Sequence, residues 1–179
     1  MPASEPNRIS LPFEVKPHAY DPAANPELFA DVLPRRLVAF VIDLMILAIP
    51  VAVAGMFIFA AGIITLGLGF FLYILLPPAT IIWALAYYGF TLGGPRSATI
   101  GMRVMDLEMR TWYGAPAYFV LGAVHAVVFW ITVSALTPFI LLVCFFNQRR
   151  RLLHDIVLGA LIINNEARAN MLRTAQRNG

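Results

Sequence analysis

The sequence predicts an all-α, multi-pass transmembrane helical bundle of three to four membrane segments, with two helical hairpins favoured and a short antiparallel strand pair at one end. Three observations lead there. Hydrophobic residues make up 60% of the 179 and charged residues only 13%, far from the balance of a water-soluble domain. Residues 44–95 carry no charge, and residues 111–148 carry none apart from the titratable His125, lengths that suit a hydrocarbon core about 30 Å thick. The arginines gather at the ends of these lengths, where positive side chains hold loops on the cytoplasmic side.

Residues 1–25 form a proline-rich, acidic stretch without a long apolar run, which reads as a disordered cytoplasmic tail and not as a secretory signal. Asn25-Pro26-Glu27 has the form of a helix start, with a capping side chain, a first-turn proline and a first-turn acid. In the segment from Pro26 to Leu33, the residues Leu28, Phe29, Val32 and Leu33 share one helical face, so it is expected to lie along the membrane surface and to turn inward at Pro34.

A transmembrane domain over 26–164 is then expected to hold segments at about 35–62, 70–92, 117–133 and 137–147. Thr65 to Gly69 makes the turn of the first hairpin. Pro50 and Pro77-Pro78 should kink its helices, because each proline removes a backbone donor and obstructs the preceding turn. Tyr87, Tyr88, Trp112 and Tyr113 suit the aromatic belt at the interface.

In the loop that follows, Met105, Leu107 and Met109 alternate with Asp106, Glu108 and Arg110, the period of a strand, for which Ala160 to Ile163 is a partner. The apolar length 117–146 is too long for one crossing, at about 45 Å for a continuous helix. A bend near Ser134 to Pro138 would return Arg149, Arg150 and Arg151 to the cytoplasmic side. Residues 165–179 form a basic, polar C-terminal tail, and both termini are expected in the cytoplasm of a cell with this protein in its inner membrane.

The chemistry concentrates in a few positions. Asp43 follows Arg36 by two helical turns, about 10 Å into the first span, where an acid costs about 2.5–3.5 kcal/mol unless it is protonated, paired or hydrated. Arg36, Arg103 and Arg151 are the expected partners. Arg151 and Asp155 stand four residues apart, on one helix face, with His154 between them as a group that titrates near neutrality. His125 is a secondary candidate as a proton relay; a bond from its neutral ring to a neighbouring carbonyl is the favoured reading. Gly122 with Ala126, and Ala48 with Ala52, have the small-residue spacing of close helix contacts.

No metal and no cofactor is expected: His18, His125 and His154 are far apart in sequence, and nucleophile motifs, phosphate loops and dinucleotide fingerprints are lacking. The single cysteine, Cys144, can form no intrachain disulfide. Basic residues beside apolar segments point to lipid headgroups, not to nucleic acid.

The run Arg35-Arg36-Leu37-Val38-Ala39-Phe40-Val41-Ile42-Asp43 resembles the first-helix motif of the RDD family, membrane proteins named for one arginine and two aspartates. Arg151-Leu152-Leu153-His154-Asp155 resembles its closing motif, and Ile100-Gly101-Met102-Arg103-Val104-Met105-Asp106 its central loop. The resemblance makes Arg36 the arginine and Asp43 and Asp155 the aspartates. Gly94-Pro95-Arg96-Ser97 departs from it, since the family usually places a glycine and a lysine there.

The resemblance implies a transport-related protein, and with the intramembrane charge it suggests exchange of protons and monovalent cations in which Asp43 and Asp155 alternate between binding a proton or cation and pairing with Arg36 or Arg151. His154 joins this charge network, and Arg103 and His125 are secondary residues. So few segments make a meagre pathway, so a homo-oligomer or larger membrane complex is expected. The competing reading is a non-enzymatic scaffold or assembly factor whose arginines and aspartates are structural.

Overall fold

The computed structural model describes residues 19–136 and 152–178. The expected segment 137–147, the bend near Pro138, Cys144, Arg149 to Arg151, and most of the N-terminal tail lie outside the described residues.

Helix α1 runs from Val32 to Ile64. Of its buried residues, Val32, Ala39, Asp43 and Leu47 recur every seven or four positions and so form one stripe, while Gly62 lies against Phe70 near the turn. Leu37, Val38, Val41, Leu44, Met45 and Ile49 are exposed around the rest of its circumference. A helix apolar all round, yet buried along a single stripe, has lipid as its solvent. At 1.5 Å per residue α1 is about 50 Å long, so it exceeds a hydrocarbon core of about 30 Å.

The chain turns through Leu66 and Gly67, both with positive φ, where the sequence places the hairpin. A 3-10 segment, Leu68–Leu75, packs back on α1 and leads into helix α2, Leu76–Leu92. Tyr73 ties the two by donating to the carbonyl of Gly55 at 2.8 Å. Pro50 lies inside α1, whereas Pro77 and Pro78 open α2. There a missing N–H removes no intrahelical bond, so these two prolines start the helix instead of kinking it. Pro26–Ile64 and Leu68–Leu92 are both long and apolar enough to cross a membrane.

A five-residue helix α3, Ile100–Val104, precedes strand β1, Leu107–Thr111. Helix α4, Phe119–Leu136, then packs along α2. Gly122 permits that approach: a Cβ there would stand 2.8 Å from the carbonyl oxygen of Tyr88. Ala126 is buried nearby, whereas Ala48 and Ala52 are exposed, so among the described residues the first of the two small-residue pairs makes a helix contact and the second does not. The next described residues form helix α5, Leu153–Val157, strand β2, Ala160–Asn164, and helix α6, Glu166–Asn178. The C-terminal tail is therefore helical.

The strands pair antiparallel with Leu107 opposite Asn164 and Thr111 opposite Ala160, the pairing that the alternation in the loop predicts. In β1 alternate residues are buried; in β2 all five are. The reason is a cover on each face. Ala160 and Ile162 join the core that includes Val32, Leu107 and Met109, while Leu161 and Ile163 pack with Leu28, Phe29 and Ala169.

This corrects the reading of residues 26–33. Their apolar face lies on the sheet and not on the membrane surface, and Pro26–Leu28 is only one 3-10 turn. Buried Glu27 pairs with Arg173 of α6 at 2.7 Å, which joins the two covering segments. Tyr87 and Tyr88 are likewise interior residues, whereas Trp112 and Tyr113 are exposed.

Candidate functional site

The start of α1, the end of α2, α3 and α5 meet beside the sheet, and two buried polar clusters lie there.

The first is a clasp around Asp43. Its carboxylate accepts from Tyr87 Oη at 2.5 Å, Thr99 Oγ1 at 2.6 Å and the Gly101 amide at 2.8 Å. Tyr87 Oη in turn accepts from the Ile100 amide at 3.2 Å, and Thr99 Oγ1 accepts from the Met102 amide at 3.1 Å. Amides at a helix start lack intrahelical partners, so one carboxylate and two hydroxyls supply them for α3. Gly101 is needed for the fit, because a Cβ would meet Ala39 O at 2.1 Å and the Asp43 carboxyl carbon at 2.9 Å. Three uncharged donors satisfy the buried Asp43 carboxyl without an arginine.

The second cluster centres on Asp155. Arg36 Nη1 donates to Asp155 Oδ2 at 2.6 Å, with the arginine side chain 10% exposed and the aspartate wholly buried. The Leu152 amide donates to the same oxygen at 3.0 Å, so Asp155 also caps the start of α5. His154 Nε2 lies 3.3 Å and His125 Nε2 3.8 Å from Oδ1, and the two imidazole rings stand edge to face at 4.8 Å. Burial pushes the His154 imidazole down to about 4 against the pull of Asp155. Burial alone would raise the Asp155 carboxyl, but Arg36, with His154 and His125, outweighs it and holds the group below its usual range.

The expected residues are thus divided between two clusters. Arg36 engages Asp155 and not Asp43. Arg103 engages neither acid: its Nε donates to Ala98 O at 2.9 Å, and Nη2 reaches Thr91 O at 3.5 Å near the end of α2. Arg151 lies outside the described residues. His125, expected on a carbonyl, faces a carboxylate and a second imidazole instead. The absence of a histidine cluster, inferred from sequence separation, does not hold: the metal-binding atoms of His125, His154 and Asp155 lie within 4.8 Å of one another.

Several participants gave little signal in the sequence. Tyr87 looked like a belt residue, and Thr99 had no mark except its position before a short hydrophobic run. Arg35 is more than a headgroup anchor. It donates to Asp106 Oδ2 at 3.0 Å and Asn164 Oδ1 at 2.9 Å, while Asn164 Nδ2 donates to the carbonyls of Glu27 and Ala30. Arg35 therefore ties α1 to both strands through side chains at their ends.

No curated protein and no solved structure matches the chain. The RDD family matches residues 31–159, a stretch that holds both clusters and most of the chain, and the protein belongs to that family of membrane proteins.

Proposed function

We propose that this protein is a transport-related inner-membrane protein that exchanges protons for monovalent cations, and that Asp155 is the exchanging group. The observation that carries the reading is the buried Arg36–Asp155 pair with two imidazoles beside it. A carboxylate paired with a movable guanidinium has two states: bound to Arg36, or released from it when a proton or cation takes its charge. His154 and His125 stand where a proton leaving Asp155 would be received. Asp43, held by three neutral donors, serves as a fixed joint that keeps α3 against α1 and α2. Arg35, Arg36, Arg103 and Arg110 gather at the sheet end, which supports a cytoplasmic position for that end and for both termini. A homo-oligomer or larger complex would complete the pathway, and no enzymatic reaction is proposed.

The test is sodium–proton exchange in everted vesicles that carry the full chain, compared with chains bearing Asp155→Asn or Asp43→Asn. Loss of flux in Asp155→Asn, normalised to the amount of folded protein, is expected. Unchanged flux in that variant would sink the mechanism.

The Asp43 clasp favours a second reading, a non-enzymatic scaffold whose buried charges fix one fold. It predicts that purified chain in liposomes gives no flux and that both aspartate variants lower the amount of folded protein.

A further inference from the structure

Two imidazoles and a carboxylate oxygen converge from segments far apart in sequence. His125 stands inside α4, and His154 and Asp155 stand on α5; all three side chains are buried. The Nε2 atoms of both rings turn toward Asp155 Oδ1, so the ring edges that converge are the ones a cation would meet.

We propose that His125, His154 and Asp155 bind a divalent first-row transition metal ion of the zinc class, through Nε2 of each histidine and Oδ1 of the aspartate. Donors about 2.0–2.2 Å from a tetrahedral ion stand roughly 3.3–3.6 Å apart. Two separations, 3.3 and 3.8 Å to Oδ1, are near that spacing, and the ligand atoms of the three residues all lie within 4.8 Å of one another, so the side chains must close further to seat the ion. Two imidazoles and one carboxylate leave a fourth coordination position open. Imidazole nitrogen selects zinc, copper, nickel or iron over sodium, magnesium and calcium, which take oxygen donors.

Arg36 holds the other carboxylate oxygen, Oδ2, together with the Leu152 amide. Its positive charge opposes a second cation nearby, so the ion is held with moderate affinity and remains exchangeable. The site shares its residues with the exchange reading, but its test measures binding and needs no flux.

The full chain, purified in detergent and stripped with a chelator, is dialysed against zinc or cobalt(II). About one equivalent retained, with the visible absorption of tetrahedral cobalt, is the expected result, and His125→Asn and His154→Asn should each weaken retention by about tenfold or more. X-ray absorption of the zinc-loaded parent chain requires no variant to fold and should show scattering from two imidazoles. Three results would overturn the site: no metal retained by the parent, undiminished retention in both folded histidine variants, or a metal spectrum without imidazole. Metal binding without sodium–proton exchange keeps this site and sinks the exchange mechanism; exchange without metal binding does the reverse.

Discussion

Arg36 and Asp155 meet at 2.6 Å from opposite ends of the family domain, and they are linked by the strongest class of hydrogen bond a side chain can offer here. Removing one partner strands a buried charge. Arg36→Met or Asp155→Leu alone should each destabilise the protein by about 3–5 kcal/mol, whereas the double variant should recover much of that loss. Thermal unfolding in detergent across the four proteins measures the coupling, and additive losses would show that the pair is not a unit.

Tyr87→Phe removes a donor to Asp43 and an acceptor for the Ile100 amide in one step. A loss of about 2 kcal/mol is expected, since the bond involves a charged acceptor and leaves a second group unsatisfied. Trp112→Phe, at an exposed position, should change little by comparison. Equal small effects at both positions would remove Tyr87 from the clasp.

Gly101→Ala tests the geometry of the same joint. The added methyl would stand 2.1 Å from a backbone carbonyl, which no side-chain rotation relieves. Destabilisation of about 3 kcal/mol or more, with enhanced proteolysis between α2 and β1, is the expected outcome. Wild-type melting behaviour would show that α3 does not dock as described.

Acid should loosen the second cluster. His154 titrates near 6.5 when unfolded and at about 4 when folded, so between those values the unfolded chain binds the extra proton. Stability then falls as pH drops from 6.5 toward 4, by at most about 1.4 kcal/mol per pH unit for this one group. Asp155 acts in the same sense at lower pH: its contribution is present above 3.8 and is lost as pH falls through its depressed folded value. Melting temperatures measured from pH 7 to 4.5 should decline in the parent chain and decline less in His154→Asn. A flat profile in the parent would refute the assignment.

Much of this arrangement was legible because it rests on periodicity and solvent. The first charge-free stretch marks the two helices long and apolar enough to cross a membrane, and the alternation around Leu107 finds both strands. Arg36, Asp43 and Asp155 stand out because charge beside or within apolar segments is expensive. Their partners were hidden for a different reason. Whether Arg36 reaches Asp43, seven residues away, or Asp155, far along the chain, depends on where α5 docks, and no local pattern encodes that. Tyr87 has the same composition signal in a belt as in a core. His125 and His154 become neighbours only through the packing of α4 and α5. The amphipathic stretch at 26–33 was identified, but an apolar face does not state whether lipid or a strand will cover it.

Strand β2 also imposes an order of events on synthesis. Arg35 and Arg36 are made before all of their partners, Asp106, Asp155 and Asn164. The first hairpin must therefore enter the bilayer with two unmatched guanidiniums at its mouth. β2 can seat against β1 only once Asn164 has been made, so Arg36 and Arg35 wait for partners 119 and 129 positions downstream.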